Sequence, residues 1–254
     1  MINTYISLTS IFDNQSELLN TLNSIKNQLE LPSKCFIFLS EDGYLLDKGF
    51  KNREITNLKL KNFIQSNEKL FEVRWVKNIG PYRKLLPLLK EKWEEDCLII
   101  TIDDDTEYNN NLIYNMKNDY NLYKCVISYR GFTLKKTNGL FTYESRDSTK
   151  KLNLHNFCTG KGGVLYHPSF FYKTEDIIFN EDLFTNYCKT TDDIWFYFIR
   201  LCNNINCYID TKPYMISDNS TKYGLFQNFN SKKQLNTINM IKTIKLLQEL
   251  NYNI

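Results

Sequence analysis

LIITIDDDTEY, residues 98–108, joins an apolar run to three consecutive carboxylates. Leu98, Ile99, Ile100 and Ile102 read as a buried strand, because a short β-branched run bounded by polar residues suits a central position in a sheet. Asp103, Asp104 and Asp105 follow at once. Like charges this close raise one another's pKa unless a cation or donor sits among them. A positive group is therefore expected at this strand end.

Outward from that point the chain alternates strands and helices. Residues 4–11 (TYISLTSI) form an expected first strand; Leu18, Leu19, Leu22, Ile25 and Leu29 then recur at helical spacing up to Pro32, and CFIFLSED (35–42) is a second apolar strand. This β-α-β order within about forty residues is the signature of a parallel pair with a crossover helix. A helical stretch (55–69), the strand FEVRWV (71–76) and GPYRKLLPLLKEKWEE follow. Pro87 in that last segment either kinks a helix or starts a fresh one.

After the triplet an Asn-rich helix leads to CVISYRG (125–131). FTLKK and LFTYES flank Thr137-Asn138-Gly139, and Asn-Gly between alternating runs signals a hairpin, so the second half departs from strict βαβ. DDIWFYFIRLCNN from Asp192 reads as a buried helix and CYID (207–210) as a strand. The tail sets Leu235, Ile238, Ile241, Ile244, Leu247 and Leu250 on a helical stripe, expected to dock on the domain. The expected fold class is α/β: one Rossmann-like domain over 1–254, its mostly parallel central sheet flanked by helices, with a β-hairpin in the second half.

Composition narrows the partners. Lys plus Arg number 32 against 29 Asp plus Glu, a balance that argues against nucleic acid as the main partner. MINTYISLTS has no basic n-region, and no segment reaches the eighteen or more apolar residues of a transmembrane helix. A cytoplasmic protein is expected. Seven cysteines without a C-x-x-C pair read as reduced core thiols rather than zinc ligands.

In an open parallel sheet the carboxyl ends of strands line the ligand crevice. The polar residues there are Ser7, Thr9 and Ser10; Ser40, Glu41 and Asp42; Lys77, Asn78 and Gly80; and the aspartate triplet. Hydroxyls and acids at such positions suit a nucleoside, or equally cap helices. Two carboxylates at i and i+2 on a strand end, Asp103 and Asp105, suit Mg²⁺ or Mn²⁺ held against a diphosphate; a solvated acidic turn with Asp105 capping the next helix is the bland alternative. Asp192-Asp193 before an apolar helix complements its dipole or supplies a base for an incoming hydroxyl. Gly160, Gly162 and Gly163 either let backbone approach a sugar or phosphate, or only make a tight turn.

The succession ISLTS, GPYRKLLPLL, strand-plus-DDD, the hairpin after SYRG, GKGGVLYHP and TTDDIWF resembles the GT-A glycosyltransferases. In particular it resembles small cytosolic bacterial enzymes of capsule and lipopolysaccharide assembly, with their GPxxKL, DDD and GGxLY…DDIW blocks, over roughly residues 4–230. The resemblance implies a GT-A domain with a nucleotide-sugar-binding half (1–107), an acceptor and catalytic half (108–230) and a C-terminal helix (231–254). It implies that Asp103 and Asp105 are the ends of a DxD motif, with Asp105 and Asp103 at the metal and Asp104 also at the donor. Asp193, supported by Asp192, is the implied general base. Lys84, with Arg83 as neighbour, stands beside the donor, Thr9 and Glu41 lie on the nucleoside edge, and Gly162 and Gly163 fall in the acceptor and sugar region.

The family often adds a late histidine ligand. Here His155 and His167 both precede Asp193, so that ligand is Asp218, Asn219 or absent. The implied activity is transfer from a nucleotide-diphosphate sugar, UDP favoured, to a hydroxyl of an oligosaccharide or glycolipid acceptor, inverting and metal-dependent. Peripheral association with the inner membrane face and the oligomeric state are left open. The alternatives are a haloacid-dehalogenase-like phosphatase, in which the first acid of D-x-D is a nucleophile, and a catalytically silent glycan-assembly scaffold. A sugar nucleotidyltransferase ranks below these for want of an early glycine-rich loop.

Overall fold

The computed structural model describes residues 2–137, 140–149, 151–220, 224–230 and 235–252. Its first half is four parallel strands, β1 (Asn3–Thr9), β2 (Lys34–Leu39), β3 (Phe71–Trp75) and β4 (Cys97–Thr101), ordered β3-β2-β1-β4. Every residue of β4 is buried, as a central strand covered on both faces requires. The crossovers are α1 (Gln15–Lys26), α2 (Leu58–Ser66) and α3 (Leu86–Glu91). Pro87 sits in the first turn of α3, where its missing amide hydrogen leaves no bond unmade. A 3₁₀ turn, Gly80–Lys84, precedes it.

Past the triplet come β5 (Thr106–Tyr108), α4 (Leu112–Tyr123), β6 (Val126–Ser128), β7 (Gly131–Thr137), β8 (Leu140–Asp147), β9 (Leu152–Asn153), β10 (Asn156–Cys158) and β11 (Val164–Tyr166). Then follow α5 (Glu175–Ile178), α6 (Glu181–Tyr187), α7 (Asp192–Cys202), β12 (Cys207–Ile209), β13 (Met215–Asp218) and α8 (Leu235–Glu249). The main sheet continues β4-β11-β6-β12-β9. Because β11 runs antiparallel to both β4 and β6, β6 and β12 recover the direction of β4. This yields a mixed, mostly parallel α/β sheet.

β7, β8 and β10 form a small antiparallel sheet. It contains the expected hairpin strands, while Asn138 and Gly139 lie outside the described residues. The bland alternative for the triplet falls: Asp105 does not cap a helix, because β5 intervenes, pairs with β13, and α4 has Asn111 at its N-cap. The strand wins because Thr106 and Tyr108 are buried, with Thr21 Oγ1 donating to Thr106 O and Tyr108 N donating to Ser24 Oγ.

The buried face of α8 is also rotated from the expected stripe. Met240, Ile244, Leu246 and Leu247 are buried together with Asn236, Asn239 and Thr243, whereas Ile238 and Leu250 are exposed. The polar members have partners: Asn239 Nδ2 donates to Thr191 Oγ1 (2.9 Å), and Thr243 Oγ1 meets Cys188 Sγ (2.9 Å). All seven cysteines are free. Among the described residues no helix is long and apolar enough to cross a membrane.

Candidate active site

The carboxyl ends of β1 and β4, the Gly80–Lys84 turn, the Gly160 turn and the first turn of α7 converge on a cavity of about 510 Å³. The three aspartates after β4 diverge into it. Asp103 Oδ1 lies 3.2 Å from Lys84 Nζ, and its backbone N–H donates to Tyr108 Oη (2.9 Å). Asp104 Oδ2 accepts from Ser10 Oγ (2.5 Å) and Asn14 Nδ2 (3.2 Å). Burial, helped by Asp105, pushes the Asp104 carboxyl up to about 7 against those two hydrogen bonds. Asp105 is half-buried; burial and Asp103 raise its pKa, and the Lys161 charge and Ser220 pull the other way.

The positive group expected at the strand end is Lys84. Its ammonium stands 3.2 Å from Asp103 Oδ1 and 3.1 Å from Asp192 Oδ2, with only 11% of the side chain exposed. Burial alone would lower its pKa, but Asp103, Asp192 and Asp193 outweigh that and hold it well above the usual lysine value. The backbone beneath is pinned by Ser7 Oγ, which donates to Lys84 O (2.6 Å).

Arg83 points elsewhere. It is buried against Asp47 (Nη2 to Oδ2, 2.9 Å), donates Nη1 to Ser40 Oγ (2.7 Å) and Nε to Gly80 O (3.1 Å). Asp47 also accepts from Phe12 N, Gly49 N and Asn78 Nδ2, so this pair ties three loops at the cavity edge. Asp47 was not among the sequence candidates; it lies beyond the strand end, in a loop with no periodic signal.

Asp192 and Asp193 open α7, where the helix dipole favours negative charge. Asp192 is buried and pairs with Lys84; Asp193 is half-buried, lines the cavity and accepts at Oδ2 from Gly160 N (3.2 Å). Burial first, then the Asp192 charge, raises Asp193 to about 7, and Lys84 limits the rise.

Other candidates are redistributed. Thr9 lines the cavity, with Oγ1 donating to Phe38 O (2.7 Å). Glu41 does not line it: past Leu39 the chain turns outward, and Glu41 pairs with Arg53 at the surface (3.3 Å). Lys77 is likewise exposed, on Glu181. Gly162 and Gly163 also stay out of the cavity. A Cβ on Gly162 would sit 2.4 Å from Arg130 Cβ, and Gly163, at φ +73°, faces Met116 Cε at 2.9 Å, so both serve close packing. The glycine that opens the site is Gly160, where a Cβ would meet Lys84 Nζ at 2.5 Å and Asp103 Oδ1 at 3.1 Å.

The partnering of β13 with β5 brings Asp218 to the triplet. Lys161 Nζ donates to Asp218 Oδ1 (2.5 Å) and to Ser220 Oγ. Burial would raise Asp218, but these contacts pull it down to about 2. Asn219 N donates to Asp105 O (2.8 Å). Among the described residues no three His, Cys, Asp or Glu side chains are grouped to hold a metal ion.

The mostly parallel central sheet flanked by helices matches a GT-A-like glycosyltransferase fold. Solved structures that share it include Staphylococcus aureus TarS residues 1–349 in complex with UDP-GlcNAc, at TM-score 0.59 and 15% identity over 97% of this chain and 67% of that one. The same TarS segment in complex with UDP aligns at TM-score 0.54 and 18% identity over 84% of this chain. The chain spans 59% of the length of that TarS segment. No protein-family model matches the sequence, and no curated protein does.

Proposed function

We propose that this chain transfers a sugar from a nucleotide-diphosphate-sugar donor to a hydroxyl of a cell-surface glycan, an oligosaccharide or glycolipid, in cytoplasmic steps of capsule or lipopolysaccharide assembly. The observation that carries the reading is the pairing of two acid groups across one cavity: a strand-end triplet suited to a diphosphate, and a helix-start carboxylate held near neutrality. The binding of UDP and UDP-GlcNAc by TarS supports a UDP-sugar as the first donor to test.

In this reading residues 1–107 hold the donor and 108–230 the acceptor. Asp193 takes the acceptor hydroxyl's proton as the new bond forms on the face opposite the leaving group, which inverts the anomeric carbon. A base whose pKa lies near the working pH suits that task. The Gly160 N–H holds Asp193 Oδ2 and aims the carboxylate; Asp192, neutralised by Lys84, stays out of the proton transfer. Asp104, bound to Ser10 and Asn14, sets the turn that presents its neighbours.

Asp105 and Asp103 are hard oxygen donors, and burial, then the Asp103 charge, raises the Asp105 pKa, a cost that a dication would relieve, so the two residues fit Mg²⁺ or Mn²⁺ in kind. Such an ion would neutralise charge on a leaving diphosphate.

The deciding experiment is calorimetric titration of UDP, GDP and CDP into the protein with and without Mn²⁺, alongside Asp105→Ala. One nucleotide should bind, need the metal and be lost in the variant. No binding under any condition would sink the reading and turn attention to phosphatase assays.

A further inference from the structure

Among the described residues five cations line the cavity, Arg83, Lys84, Arg130, Arg146 and Lys161, and they divide by partner. Arg83 is paired with Asp47, Lys84 with Asp103 and Asp192, and Lys161 with Asp218. Arg130 and Arg146 meet no carboxylate among the described residues. Both are nevertheless held in place by neutral groups. Arg130, between β6 and β7, donates Nη1 to Thr159 Oγ1 (2.6 Å), one residue from Gly160. Arg146, on β8, lies over the faces of Phe132 and Tyr143, its Cζ 4.1 and 4.4 Å from their ring centres, and donates Nε to Tyr143 O (2.9 Å).

A guanidinium has five N–H donors in a fixed fork that matches carboxylate and phosphate oxygens. Each of these two commits one donor to a neutral oxygen and has no carboxylate partner among the described residues. Their place in the cavity matters as much. Thr159, which holds Arg130, directly precedes Gly160, whose N–H donates to Asp193 Oδ2. Arg146 lies over Tyr143 on the wall of the same cavity. Tyr143, half-buried, lines the same cavity and offers ring surface for a sugar.

We infer that the acceptor is an acidic glycan, whose phosphate or carboxylate oxygens are gripped by Arg130 and Arg146 while its hydroxyl meets Asp193. The inference rests on the glycosyltransferase reading and deepens it. An anionic acceptor approaching Asp193 would be repelled; two guanidiniums on the cavity wall, without a carboxylate partner among the described residues, offset that repulsion. A neutral acceptor has no use for them.

Ligand-observed NMR of the full chain saturated with UDP, titrated with glucose 6-phosphate, glucuronate and glucose, tests this. The charged sugars should bind and glucose should bind far more weakly, with the better of the two charged probes naming the anion. Arg130→Gln and Arg146→Gln should each weaken the charged sugars about tenfold, the worth of one charge-assisted hydrogen bond, and leave UDP affinity in place. Equal binding of glucose, no binding of either charged sugar, or variants that lose UDP instead would overturn the inference; the last outcome would assign the guanidiniums to the donor. The sugar titrations are repeated without UDP. Failure of UDP to bind the unmodified protein, with charged sugars still selected, would count against the glycosyltransferase reading and not against the anion site.

Discussion

The strand-end triplet and the helix-start pair are alike as sequence, short runs of aspartate beside apolar segments, and unlike as chemistry. In the triplet each carboxylate has its own environment: Asp103 faces Lys84, Asp104 is tied to Ser10 and Asn14, and Asp105 stands half-buried toward Lys161. In the pair one member is neutralised by the same Lys84 and the other is left to a backbone N–H. Adjacency in the chain thus gives no equivalence of role. A single buried ammonium, touching one acid of each group, sorts the carboxylates into compensated and uncompensated ones.

Asp193→Asn breaks the comparison most directly. Transfer should fall by ~10²–10⁴-fold, the usual worth of a positioned base, while UDP binding stays unchanged; Asp105→Ala should instead lose the nucleotide, and transfer with it. Since the Asp193 carboxyl is raised to about 7 and must be ionised to accept a proton, kcat/KM of the unmodified protein should rise with pH through that value. A flat profile from pH 5 to 8 would remove Asp193 from the role.

Next in size is Lys84→Met. Removing one partner of a buried ion pair costs about 3–5 kcal/mol, because the other charge stays buried without compensation. Here the acids left behind can protonate, so the loss should be larger at pH 8 than at pH 5. Thermal denaturation of both proteins at the two pH values measures it, and a loss independent of pH would mean that Lys84 contributes packing alone.

How far the sequence reveals this depends on whether a feature is local. The strands β1 to β4 are legible because apolar β-branched runs of strand length alternate with helical periodicity. The antiparallel insertion of β11 is not: VLY is three residues long, and its neighbours β4 and β6 are set by pairing with chain far away in sequence. The site shows the same divide. Asp103 to Asp105, Lys84 and Asp192-Asp193 stand directly at element ends, so their convergence on a cavity rim follows from topology. Glu41 satisfies that rule too, yet one turn sends it to the surface, and Asp47, six residues on, takes the position through Arg83. Among the glycines, residue type cannot say which one faces the cavity; the register of β11 against β4 decides that Gly160 does and Gly162 does not.

That last distinction is testable at a smaller scale. Gly160→Ala forces a methyl to 2.5 Å from Lys84 Nζ, an ammonium held by two carboxylates and so unable to swing aside without loss. Overpacking of this kind costs about 1–3 kcal/mol, and it should also weaken nucleotide binding by disturbing Asp103. Gly162→Ala crowds the Arg130 backbone at 2.6 Å. It should lower the melting temperature with nucleotide affinity kept, and equal loss of UDP binding in both variants would erase the distinction drawn between the two glycines.

The smallest expected effect is a gain. Burial pushes the Asp104 carboxyl up to about 7 from its ordinary 3.8, so between those values the folded protein binds the extra proton. Stability contributed by this group therefore falls as pH rises from about 4 to about 7. Asp104→Asn keeps an oxygen to accept from Ser10 or Asn14 and removes the buried charge. The variant should match the unmodified protein at pH 5 and exceed it by about 1 kcal/mol at pH 8, a part of the desolvation penalty that a buried carboxylate carries. The gain requires that Asp104 be a turn-setting residue rather than a donor ligand, so nucleotide affinity should be nearly unchanged. A variant that is stabilised at pH 8 but loses UDP would move Asp104 from the scaffold of the triplet to its binding face, beside Asp103 and Asp105.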